Sequence, residues 1–225
     1  MQTNEGVSHL TGNAKRRLEM PVRLCDTVSD AQKIVDEWFP VLDEIFFFSK
    51  VQTALKVPIM VYNKPELGIR GQYISLEDQI EINCAINERK PEGGNRIVCT
   101  LAHEMVHAFL VSFSCQTRSC RRGIFSMDGG HGVLFTDSMV RIEAKLQKLV
   151  LWTAECGVNY SVIGEMEKSK SNWQPRNAEL VRWGPWGQKE HHCGIGQEVS
   201  FLRHEWPGAV HPASYYFEDE NRNSH

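Results

Sequence analysis

No Cys-x-x-Cys pair occurs anywhere in the 225 residues, and the seven cysteines are irregularly spaced. That excludes a disulfide-framed secreted scaffold, and it excludes a zinc ribbon, whose ligands come in closely spaced pairs. Basic charge is also short: 25 Lys and Arg stand against 28 Asp and Glu, a formal net charge of -3. Bulk electrostatics therefore does not hold this protein to nucleic acid. The longest apolar runs, such as Ile45-Phe46-Phe47-Phe48, are far too short to span a bilayer. Met1 to Met20 is polar, ends in Lys15-Arg16-Arg17 and has no apolar stretch fit for a signal peptide. Internal repeats and low-complexity tracts are lacking as well. The expectation is a soluble intracellular protein, nuclear or cytoplasmic, with one core and a small appendage.

What is present centres on His103-Glu104-Met105-Val106-His107. Residues four apart on a helix lie one turn above each other, so both imidazoles can reach one metal ion. Glu104 follows the first histidine, where a carboxylate can take a proton from an activated water; this is the H-E-x-x-H pattern of zinc hydrolases. Arg96 to Ser114 has no Gly or Pro and is apolar on nearly every side, which predicts a buried helix, with Asn95 as its N-cap. Two histidines and a glutamate inside such a helix need partners, and a metal supplies them.

A catalytic zinc takes a third protein ligand and keeps one open position. The metzincin arrangement is excluded, because its Gly and His positions hold Leu110 and Phe113. The next histidine is His131, in Gly129-Gly130-His131-Gly132, where glycines let the chain pass close to a metal. His131 is the expected third ligand; Glu143 on the following helix is the competitor.

Leu101-Ala102-His103-Glu104-Met105-Val106-His107-Ala108-Phe109-Leu110, followed by Gly130-His131-Gly132-Val133-Leu134-Phe135, resembles the SprT-like metalloprotease family, which includes the Spartan DNA-protein crosslink proteases. The likeness covers about Tyr62 to Leu149. It implies that His103, His107 and His131 bind Zn2+, that Glu104 is the catalytic carboxylate, and that the core is zincin-like. The chain departs from the family's compact members in a longer loop from Ser112 to Met127, carrying Cys115, Arg118, Cys120, Arg121 and Arg122, and in lacking a zinc ribbon.

The expected fold class is α+β: a small, mostly antiparallel sheet packed on the active-site helix, plus a Trp-rich C-terminal extension. Residues 1–26 are expected as a flexible lead-in, 27–151 as the metalloprotease core and 152–225 as the extension. Ser29 to Gln32 fits a capping box ahead of a helical pattern from Ala31 to Ile45, which Pro40 should kink or split. Val57 to Tyr62, Ile69 to Ile74 and Gln79 to Ile82 read as short strands. The strand from Gln79 is the candidate edge for pairing with an extended peptide. Phe135, Met139, Ile142, Leu146 and Leu149 recur at helical spacing and predict a second helix packed on the first.

In the extension, Trp152, Trp173, Trp183, Trp186 and Trp206 interleave with Arg176, Arg182, Lys189 and Arg203. They fit a platform for single-stranded DNA or, alternatively, the core of a small wrap. Cys156, His191, His192 and Cys193 raise a second zinc site as a further option. The predicted activity is metalloendopeptidase hydrolysis of a protein or peptide substrate, with Glu104 as general base. Crosslink repair is the substrate context the resemblance implies. The alternatives are an intracellular peptidase unrelated to repair, and a nucleic-acid or chromatin binding module with vestigial activity.

Overall fold

The computed structural model describes residues 11–18, 20, 22, 24–86, 93–114, 130–150, 156–158, 161 and 179. The chain divides into two units, Met1–Val162 and Ile163–His225, and of the second only Glu179 is among the described residues. The first unit is α+β, with helices gathered around one three-stranded sheet.

Helix α1, Gly12–Leu18, lies inside the stretch expected as a flexible lead-in. It is held because Ala14 and Leu18 are buried, Arg17 pairs with Glu37 at 3.0 Å, and the Arg17 guanidinium sits 4.7 Å over the Trp38 ring. Helix α2, Val28–Phe47, starts earlier than the expected capping box. Its N-cap is Thr27, whose Oγ1 accepts from the Asp30 amide at 3.1 Å and donates to the Asp30 carboxylate at 2.8 Å. Pro40 does not split α2: it is exposed, so the donor it lacks faces water. Ala31, Ile34, Val35, Trp38 and Leu42 form the buried stripe.

Phe48 and Ser49, both at φ +56°, end α2 and turn the chain into the short helix α3, Val51–Ala54. Buried Asp43 secures that corner, its two carboxylate oxygens each accepting at 2.9 Å from the amides of Val51 and Gln52.

Strands β1 (Met60–Tyr62), β2 (Gly71–Ile74) and β3 (Gln79–Asn83) are ordered β1-β3-β2. The sheet is therefore mixed rather than mostly antiparallel: β2 pairs antiparallel with β3, and β1 pairs parallel with it. Three strands joined by two reversals alternate in direction, so placing the third between the first two makes one ladder of each kind. It also puts the strand from Gln79 in the centre, so it is not an edge for peptide pairing; among the described residues β1 and β2 are the edges. Ile80 and Ile82, both fully buried, explain why β3 takes the middle. The β1 to β2 connection hangs on Asn83. Its amide nitrogen donates to the carbonyls of Lys64 at 2.7 Å and Ile69 at 2.9 Å, and its oxygen accepts from the amides of Lys64 and Ala85.

Helix α4, Gly93–Phe113, is the core of the unit. Asn95 lies inside it rather than capping it, because the helix begins two residues earlier. It passes a length and hydropathy test for a membrane span, yet Ile97, Val98, Leu101, Ala102, Met105, Val106 and Ala108 are all buried between α2, the sheet and the last helix. That last helix, α5, Val133–Val150, packs Phe135, Met139, Ile142 and Leu146 inward as the spacing predicts.

Candidate metal centre

The α4 backbone presents His103 and His107 one turn apart, with ring centroids separated by 5.1 Å. His131 arrives from the entry to α5. Gly130 there adopts φ +77°, where a side chain would be strained, and the turn it makes brings His131 over the two α4 rings. Thr136 Oγ1 then donates to the carbonyls of His131 at 3.3 Å and Gly132 at 3.2 Å, which fixes the turn.

The outcome is convergence. His131 Nε2 lies 3.0 Å from His103 Nε2 and 3.2 Å from His107 Nε2. A single ring proton on His131 can satisfy one of these contacts but not both. The edges of a tetrahedron of nitrogens around zinc are about 3.3 Å, given Zn–N bonds of about 2.05 Å, so the spacing matches a shared cation. Among the described residues these three histidines are the group able to hold a metal ion. Phe135 braces all three rings, with centroid distances of 4.7 Å to His103, 4.4 Å to His107 and 4.7 Å to His131.

Burial makes the imidazoles fit for ligation. It pushes His103 down to about 3, helped by His131 and by the Arg70 charge and opposed by a hydrogen bond to the Cys156 carbonyl. His107 is likewise driven well below its ordinary value by burial, then by His103 and His131. Both rings are thus neutral at physiological pH, the form that binds metal. His103 directs Nε2 at His131, so its other nitrogen, Nδ1, is the donor to the Cys156 carbonyl; such a bond fixes ring orientation and tautomer.

Glu104 is buried, and burial raises its carboxyl to about 8, opposed by the backbone amide of Tyr73, which donates to it. Strand β2 therefore touches the carboxyl directly. The contact is close: a Cβ on Gly71 would meet Thr100 Cγ2 at 2.8 Å, the Glu81 carbonyl at 3.0 Å and Glu104 Cγ at 3.1 Å.

The three histidines singled out from the sequence are thus brought together, and Glu104, next to His103 on α4, is buried against β2. Glu143, the competing ligand, is engaged elsewhere: its Oε2 accepts from the Cys156 amide at 2.8 Å. Cys156 Sγ lies 3.0 Å from Cys99 Sγ, and the other residues of the second-zinc option, His191, His192 and Cys193, lie outside the described residues. The five tryptophans of the extension with their basic neighbours, and the loop segment 115–127, are outside them too. Sequence reasoning missed Tyr73, Gly71 and the Cys156 carbonyl, because each reaches the site across the fold and carries no local signal. Compared with protein-family models, curated proteins and solved structures, the chain matches none.

Proposed function

We propose that this chain is a zinc-dependent metalloendopeptidase of SprT-like type with a zincin-like core, acting on proteins crosslinked to DNA. The observation that carries the reading is the convergence of the ring nitrogens of His103, His107 and His131, with the buried carboxyl of Glu104 next to His103 on α4. An all-nitrogen set of three suits zinc with one position open, whereas magnesium and calcium favour oxygen ligands. When bound, zinc supplies a Lewis acid for the scissile carbonyl and for a water molecule.

The protein's own groups do the rest. His103, His107 and His131 would hold the cation. A bound cation would favour the ionised form of Glu104, offsetting the burial that otherwise keeps it protonated. Ionised Glu104 takes a proton from the attacking water and returns it to the leaving amine. The Tyr73 amide holds that carboxylate in place.

A peptide substrate fits at β2. This strand is an edge of the sheet and lies against Glu104, so an extended chain added there runs past the carboxylate using sequence-independent main-chain hydrogen bonds. The DNA context rests on the SprT-like resemblance of the two motif blocks and on the Trp and Arg interleaving after residue 152.

The test combines metal analysis with cleavage assays on wild type and Glu104→Gln, each with and without single-stranded DNA. One zinc per chain in both, with cleavage confined to wild type and dependent on DNA, is the expected result. Cleavage regardless of DNA would keep the peptidase and remove the repair role. Bound zinc with no cleavage in wild type would favour the binding-module alternative.

A further inference from the structure

Cys99 sits on α4 one turn before His103, and Cys156 lies in the segment after α5. Their sulfurs are 3.0 Å apart, and the residues are 3% and 5% exposed. Forming a bond of about 2 Å asks the two sulfurs to approach by only about 1 Å. Cys156 is tethered at three points: its amide is held by Glu143, its carbonyl by the His103 ring and its thiol by Cys99. The two cysteines are 57 positions apart, and the interval contains His103, Glu104, His107 and His131.

We propose that Cys99 and Cys156 are a disulfide-forming pair whose oxidation closes a covalent loop around the whole candidate metal site and slows loss of the metal. The oxidant is a hydroperoxide, small enough to enter a buried site. One thiolate attacks a peroxide oxygen, forming a sulfenic acid and releasing hydroxide, which takes up a proton as water. The second sulfur displaces the sulfenic oxygen as another water. In sum, two thiols lose two hydrogens and hydrogen peroxide becomes two waters. Both sulfurs are buried, so the reaction is slow and selective for small reagents. The bond then fixes the Cys156 carbonyl against His103, and opening of that segment no longer frees the ring.

The effect on metal retention rests on the metal reading above, whereas the disulfide itself does not. Zinc-loaded full-length protein is treated with hydrogen peroxide, unfolded, alkylated and mapped by mass spectrometry, with reduced protein as control. A Cys99–Cys156 crosslinked peptide is expected as the main product. Release of zinc to a chromogenic chelator should slow at least tenfold in the oxidised protein and return to the original rate after reduction. Cys99→Ala and Cys156→Ala should each bind zinc and lose the redox difference. Alkylation of both residues after peroxide treatment, or crosslinks confined to other cysteines, overturns the pairing even if the alanine variants fold poorly. A mapped Cys99–Cys156 bond with unchanged release overturns the lock. If wild type binds no zinc while the crosslink still forms and raises Tm, the metal reading fails and the pairing stands.

Discussion

At the scale of single residues, the candidate centre is a set of ionisable groups held in their neutral forms by burial. With metal removed by a chelator, this has two opposite signatures. His103 drops from 6.5 to about 3 on folding, so the unfolded chain binds the extra proton between those values, and stability falls as pH is lowered through that window. Glu104 rises from 4.5 to about 8, so the folded chain binds the extra proton there, and stability falls as pH is raised through that range. Between pH 6 and pH 8 chelated wild type should lose about 2 kcal/mol relative to Glu104→Gln, because the gain from the depressed histidines is common to both proteins and cancels in the comparison. Urea titration of both proteins at the two pH values measures the difference; equal losses would mean that Glu104 is not buried as described. His131→Ala removes the ligand that closes the triad, and metal analysis after dialysis should find it free of zinc while α4 and α5 keep their helicity by circular dichroism.

At the scale of elements, two contacts decide whether the pieces meet. Gly71→Ala forces a Cβ to within 2.8 Å of Thr100 Cγ2 and 3.0 Å of the Glu81 carbonyl, so β2 must shift away from α4. A stability loss of about 1–3 kcal/mol is expected, with cleavage falling as the Tyr73 amide withdraws from Glu104. Thr100→Ser removes the nearer carbon, and the double variant should recover part of the loss; a single variant as stable as wild type would show that β2 is not so tightly seated. Asp43→Ala leaves two amides at the head of α3 without acceptors and should cost about 2–3 kcal/mol by chemical denaturation. The same scale separates what was legible in the chain from what was not. His103, Glu104 and His107 were readable because four-residue spacing on a helix is a local fact, and the inward face of α5 was readable for the same reason. His131 could be found through its glycines. The central place of β3, the roles of Asn83 and Tyr73 and the meeting of Cys99 with Cys156 were not legible, since pairings between distant segments leave no periodic trace. Ser29 misled because Thr27, two residues earlier, caps the Asp30 amide by an equally local bond, and Pro40 leaves α2 unsplit because it lies on the exposed side.

At the scale of the whole molecule, a metal held between α4 and the entry to α5 would tie folding to loading. Ions that bind only the folded chain stabilise it by mass action, about 4 kcal/mol when free metal is a thousandfold above its dissociation constant. Removal by a chelator should therefore lower Tm, readdition of zinc should restore it, and a transition unmoved by zinc would argue against a bound ion. Helix α4 raises a different matter, that of synthesis. It is apolar enough to pass for a membrane segment, and a newly made chain exposing it would be prone to aggregation or misdirected insertion. Yet α2, β2 and β3, which pack on it, are made before it, and of the described elements that pack on it α5 comes after. Among the described residues the helix most like a membrane segment thus emerges from the ribosome after most of the chain that will enclose it.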